Sequence, residues 1–399
     1  MKEFILDNGI KLIYSKGTSQ LTSISIGLEA GAAQDGEILG LAHATEHMVY
    51  KGTKKRSEDQ INEELSKLFG FHNAMTNYPY VIYYGTLLGE ELDKGVEIFS
   101  DLLINAAFPF EGFKEEMDVI VEELKEWDEE LDQYCEDKLL FNTFRYNRLK
   151  YPIIGDIESL KKIKIEDIEN FYKTYYSPGN TSIAVVSSLS FEEVKQIIEK
   201  YFSDWKKKNV QPAIEKDEVP LVGIYRNMSD NTNTCKLQIV FPINDLSEME
   251  MKALRIFNEY FGEGINSVLF SSLRTKNGLV YDVLTKIRHE KHIRLYKINF
   301  STSKDKVDKA LEIVNEAISN IEILNEEKIA QFIKSIKIKK LFKEEQSIQL
   351  AKELSTYSVM FQDFRIYDNM LVGMEKITGG DILKVARNVL KNPSIEIIS

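Results

Sequence analysis

The chain has 399 residues, 43% of them hydrophobic and 29% charged, with a formal net charge of −12 at pH 7; the length predicts at least two domains, and the acidic balance argues against a nucleic-acid surface and favours cationic partners. No window approaches the roughly 18 unbroken apolar residues of a membrane span, and the start lacks the basic, apolar and small-residue succession of a signal peptide. Only Cys135 and Cys235 occur, which excludes a disulfide framework and a cysteine zinc site and sets the expected location in the reducing cytoplasm. The opening MKEFILDNGIKLIYSK alternates like a strand, with a turn at Asp7-Asn8-Gly9. In residues 40–53, GLAHATEHMVYKGT, two of the chain's five histidines sit four residues apart beside a glutamate. YPYVIYYGTLL, from Tyr78, predicts a sheet strand with one packed face. FEGFKEEMDVIVEELKEWDEELDQY, residues 110–134, predicts one helix whose apolar stripe is Phe113, Met117, Ile120, Leu124 and Trp127.

The segment 204–220 is charged, holds two prolines and shows no apolar period; it predicts a linker at 206–220 between domains at 1–205 and 221–399. Strand-like LVGIYRN and TCKLQIVFP open the second half, whereas RHEKH at 288–292 reads as a solvated turn. The two halves end alike. IKIEDIENFYKTYYSPGNTSIAVVSS from Ile163 resembles ITGGDILKVARNVLKNPSIEIIS from Ile377, with Ile163, Asp167, Ile168 and Pro178 matched by Ile377, Asp381, Ile382 and Pro393. Each is a helix capped near Asp, a proline loop and a β-branched strand, a weak internal duplication for which chance recurrence is the competing reading; the expected fold is α+β, with helices packed on one face of a sheet.

On a helix, His43 and His47 lie about 40° apart, and Glu46 lies about 60° to the other side of His43. Two imidazoles one turn apart can ligate one tetrahedral zinc, and a carboxylate beside them can hold and deprotonate a water. H-x-x-E-H is the reverse of H-E-x-x-H, and chance produces it roughly once in 150 such chains. The competing reading is a histidine pair on an exposed helix face. A third ligand is required. Glu116 and Glu123 fall two turns apart at the border of the apolar stripe, whereas Glu115, Glu122 and Glu126 point further out. Carboxylates so placed need compensation, from a metal and its histidines or from Lys and Arg.

These residues resemble the pitrilysin or insulinase family of zinc peptidases, which includes the mitochondrial processing peptidases. EHMVYKGT is similar to that family's EHMxFKGT, with Tyr50 where Phe is usual; EMDVIVEE is similar to its glutamate helix; NAMT at 73–76 is similar to its N-A-x-T strand; and SSLRTKNGLVYDV is similar to its R-x-x-x-G-L-x-Y element. The resemblance implies one zinc per chain on His43, His47 and Glu123, with Glu116 as supporting carboxylate and Glu46 as general base. It implies a substrate lying extended along Asn73, Ala74 and Thr76, and Arg274 with Tyr281 as oxyanion and carbonyl donors. It also implies two homologous α+β domains forming half of a peptidase chamber, closed by a second chain whose second domain supplies the Arg/Tyr pair. Phe69-Gly70 and Met117 depart from the family pattern, and the helix around 253–262 has no histidine. The expected activity is therefore a zinc metalloendopeptidase for unstructured peptides, with basic ones favoured by the charge. A homodimer is expected, with a heterodimer with a related chain as the alternative. The competing functions are a catalytically silent peptide-binding or scaffold subunit, and a module in which zinc is purely structural.

Overall fold

The opening alternation forms β1 (Lys2–Ile5) and β2 (Lys11–Lys16), reversed at Gly9, whose φ of +98° favours glycine. In the computed structural model, which describes residues 1–207, 218–228 and 234–399, they belong to a six-stranded sheet. Its other members are β3 (Leu21–Leu28), β4 (Phe69–Thr76), β5 (Val81–Leu88) and β6 (Thr181–Ser187), in the order β1-β2-β6-β3-β5-β4. The β2–β6 pair is parallel and every other pair antiparallel.

A second sheet repeats this plan without the first strand. It comprises β7 (Gly223–Asn227), β8 (Thr234–Pro242), β9 (Val283–Glu290), β10 (Ile293–Ser303) and β11 (Ser394–Ile398), in the order β7-β11-β8-β10-β9, again with one parallel pair, β7–β11. The matched chain ends read from sequence become equivalent parts, a helix at Ile165–Tyr175 leading to β6 and one at Gly379–Val389 leading to β11. The fold is α+β with two homologous domains.

The described residues of one compact unit are 1–126, 152–207 and 342–368, and those of the other are 127–151, 218–228, 234–341 and 369–399. Most of the expected linker, residues 208–217, lies outside the described residues.

In the first unit, Ile24, Ile26 and Leu28 of β3 point into the apolar core, while Ser23, Ser25 and Gly27 alternate onto the opposite face. That face is covered by the helix Ser347–Phe361. Ser23 meets Ser347 at 2.8 Å, Ser25 meets Ser355 at 2.7 Å and Ser182 meets Ser358 at 2.8 Å, beside an apolar cluster of Ile82, Tyr84, Val359 and Met360. In the second unit, Leu237, Ile239 and Phe241 enter the core, and the alternate residues Lys236 and Gln238 face the helix Leu131–Thr143. Glu136 of that helix bonds Arg288 at 2.8 Å and Lys297, and Asn142 donates to Glu396 at 2.8 Å.

The acidic segment 110–134 is two helices rather than one, Phe113–Glu129 and Leu131–Thr143, broken at Glu130, whose ψ of 95° is extended. Past the break the chain turns to bring Asp137 to the Trp127 indole N–H, at 2.8 Å.

Candidate metal and catalytic site

The helix Leu41–Val49, α1, carries the histidines. It starts at Gly40, with φ of +84°, where a Cβ would lie 2.3 Å from the Ile154 carbonyl oxygen, so only glycine fits. The Asp35 carboxylate caps it, accepting from the Gly40 and Ala42 amides at 2.8 and 2.7 Å. The helix Glu58–Leu68, α2, follows with a Ser57/Gln60 capping box. After the helix Leu92–Asn105, α3, comes the helix Phe113–Glu129, α4, which faces α1 with its carboxylates.

His43 Nε2 lies 3.7 Å and His47 Nε2 3.5 Å from the two oxygens of Glu123. These separations exceed a hydrogen bond, and the three ligand atoms all fall within 4.8 Å of one another. Three ligand atoms so close together could hold one metal ion. Among the described residues His43 Nδ1 is buried without a hydrogen-bond partner, and three carboxylates, Glu46, Glu116 and Glu123, converge on two imidazoles. The donor set thus fits zinc, which takes two nitrogens and a carboxylate oxygen.

Behind the ligands, His47 Nδ1 meets Glu116 Oε1 at 2.7 Å. A ring that donates from Nδ1 presents a bare Nε2, the form that binds a metal. Glu116 is held at about 2, chiefly by that hydrogen bond and against the effect of burial. Burial and the neighbouring His47 push His43 down to about 3. Burial also pulls His47 down, but Glu116, Glu46 and Glu123 outweigh it and leave it above its ordinary value. Lys51 Nζ bonds Glu116 at 3.0 Å and Glu58 at 2.8 Å.

Glu46 is buried on the neighbouring sector of α1 and accepts from the Thr76 hydroxyl through Oε2 at 2.6 Å. Burial raises its pKa despite that bond. Thr76 ends β4, the edge strand, whose other side pairs with no strand among the described residues. Asn73 is exposed there, and its Oδ1 accepts from the Ala74 amide at 2.9 Å. The sequence reading placed Thr76 on the substrate strand; its side chain is in addition the partner of Glu46. Lys51 was missed, although its place four residues after His47 offered a signal.

Arg274 and Tyr281 belong to the second unit. Arg274 sits in a π-helical turn, Ser271–Thr275, with its guanidinium 4.8 Å from the Tyr281 ring and 4.9 Å from that of Phe270. Tyr281 is 83% exposed, open to a ligand.

Fold and site together define a duplicated α+β chain with an inverted H-x-x-E-H helix set against an open sheet edge. Residues 12–157 match the family described as Insulinase (Peptidase family M16), and residues 162–334 match Peptidase M16 inactive domain. The chain belongs to peptidase family M16. It is 25% identical over 324 residues to the uncharacterized zinc protease YmxG of Bacillus subtilis, covering 80% of this chain and 78% of that one. It is 30% identical over 200 residues to a probable mitochondrial-processing peptidase subunit beta of Arabidopsis thaliana, covering 50% of this chain and 38% of that one. A protease from Helicobacter pylori has the same fold, with a TM-score of 0.87 at 18% identity, over 100% of this chain and 99% of that one.

Proposed function

We propose that this chain is a zinc-dependent endopeptidase acting on unstructured peptides, with one zinc held by His43, His47 and Glu123. The observation that carries the reading is the convergence of the two Nε2 atoms and the Glu123 carboxylate, with a separate buried carboxylate, Glu46, beside them. Bound zinc supplies Lewis-acid activation of a water and of the scissile carbonyl. Glu46 takes the proton of the attacking water and delivers it to the leaving amine. The Thr76 hydroxyl donates to Glu46 Oε2 and holds that carboxylate in place. Glu116 fixes the His47 ring.

The substrate adds as a strand to β4 at Asn73 and Ala74, which the open edge supports. Such main-chain pairing demands an extended peptide rather than a folded one, and the net charge of −12 favours basic peptides. Arg274 and Tyr281, stacked on each other, donate to the oxyanion and a substrate carbonyl. A partner copy in a homodimer, or a related chain, supplies that pair. The helix Glu248–Phe261 of the second unit has no histidine, in keeping with one metal per chain. No described helix is long and apolar enough to cross a membrane, and both cysteines are free thiols, which suits the cytoplasm.

The test compares wild type with Glu46→Gln for zinc content and for cleavage of a mixed library of unstructured peptides. Zinc in both with cleavage by wild type alone is expected; equal cleavage by the variant removes Glu46 as the base. Zinc in both with cleavage by neither points to a missing partner chain, a narrowly dedicated substrate or a silent binding subunit. Full zinc retention by Glu123→Ala would remove that residue from the site.

A further inference from the structure

The residue that ties the candidate site to its surroundings is Lys51, two positions beyond the end of α1. Its side chain is only 13% exposed, an unusual setting for a lysine. The stem runs beside the backbone at Gly112, where a Cβ would lie 3.4 Å from Lys51 Cε, just before α4 begins. The ammonium bonds two carboxylates from two different helices, Glu58 in the first turn of α2 at 2.8 Å and Glu116 in the first turn of α4 at 3.0 Å. Glu116 uses its other oxygen for His47 Nδ1, at 2.7 Å. A continuous chain, Glu58–Lys51–Glu116–His47, therefore ends on a ring whose Nε2 faces Glu123.

We propose that Lys51 is a positioning residue for the metal site: its ammonium holds Glu116 where that carboxylate orients His47, and so sets how tightly the His43, His47 and Glu123 group holds zinc. The inference rests on the zinc reading of that group and goes beyond it, because Lys51 touches neither the ligand atoms nor Glu46 in any described contact. The physical basis is geometric. A carboxylate anchored on one oxygen only can swing, and the imidazole it holds swings with it. Anchored on both oxygens, by His47 of α1 and by Lys51 just past that helix, it is fixed. Lys51 fixes it from the one direction the histidine leaves open, and Glu58 in turn fixes Lys51.

The test is zinc affinity of the purified full chain, measured by competition with a chromophoric chelator, for wild type, Lys51→Met, Lys51→Arg, Glu116→Gln and Lys51→Met/Glu116→Gln. Outer partners of metal ligands typically contribute 10- to 100-fold to affinity, so Lys51→Met is expected to weaken zinc binding about 10-fold or more. Lys51→Arg, which keeps a cation able to bridge the two carboxylates, should stay within about 3-fold of wild type. The double variant should bind no more weakly than Glu116→Gln alone, because the lysine acts through that carboxylate. A merely structural lysine would give losses that multiply, and that result overturns the proposal, as does a Lys51→Met affinity within about 2-fold of wild type. Should Lys51→Met fail to fold, Glu58→Gln, which loosens Lys51 from outside, is expected to weaken binding several-fold; an unchanged affinity there counts against the proposal. Wild type without zinc affinity would overturn both the zinc reading and this one, whereas tight wild-type binding with an unaffected Lys51→Met overturns this one alone.

Discussion

Thr76 shows how much one hydroxyl can be asked to do. Its hydroxyl donates to Glu46, buried beside the histidines, and it stands on the strand edge rather than on the motif helix. A hydrogen bond to a charged group contributes about 1.5–3 kcal/mol, so Thr76→Val, similar in shape, should lower kcat about 10- to 100-fold while zinc content stays at wild-type level. Unchanged turnover with peptides would show that Glu46 needs no such support. The residue pattern His43, Glu46, His47 was legible because a helix has one period and three side chains on it share one sector. The carboxylates of α4 were legible as a border pair for the same reason. The Glu46–Thr76 bond was not, because it joins residues thirty apart through the docking of a helix on a strand, which no local period encodes.

At the scale of elements, the strands were legible where apolar and polar residues alternate, but the alternation misleads about what covers the polar face. Ser23, Ser25 and Ser182 of the first sheet, and Lys236, Gln238 and Lys297 of the second, stand on the face opposite the apolar core. Each set lies under a helix that meets it with matched polar groups. RHEKH was misread in the same way: Arg288 and His289 are strand residues of β9, Arg288 bonded to Glu136, and only the turn at His292, φ +65°, fits the solvated reading.

Two predictions test these helix attachments. Ser182 and Ser358 satisfy each other while buried, so either single change to alanine should cost about 1–2 kcal/mol in urea unfolding, and the double change less than the sum of the two. Strict additivity would show that the hydroxyls act independently. Burial would raise the pKa of Glu136, but Arg288 and then Lys297 hold it at about 2. A carboxylate depressed in the folded state stabilises it above the unfolded pKa of about 4.3, and that contribution fades as the pH falls towards 2. Glu136→Gln should therefore cost about 3 kcal/mol at neutral pH, with the gap to wild type narrowing at pH 3. A gap constant between pH 7 and pH 3 would assign the loss to packing rather than charge.

For the whole molecule, the duplication was legible in the matched chain ends, and the repeated strand order, β2-β6-β3-β5-β4 against β7-β11-β8-β10-β9, carries it through both sheets. The candidate metal group falls in one unit and the Arg274/Tyr281 pair in the other. If the pair acts across a dimer, mixing inactive Glu46→Gln chains with inactive Tyr281→Phe chains should restore activity, up to about a quarter of wild type after random subunit exchange of a C2 dimer. No recovery after confirmed exchange would place both parts of a working site on one chain. What the sequence hid at this scale is the parentage of the covering helices: the first sheet takes one from residues 347–361 and the second takes one from residues 131–143.

That exchange has a consequence for biosynthesis. When ribosomal synthesis has passed residue 207, every strand of the first sheet exists, yet Ile82 and Tyr84 still lack Val359 and Met360, which have not been made. At elongation rates of about 5–20 residues per second, the missing helix emerges roughly 10–30 s later. During that interval the nascent chain carries a bare, partly apolar sheet face, the kind of surface on which chaperones act and aggregates begin. The half that carries the candidate metal site is thus the first to be translated and among the last to be finished.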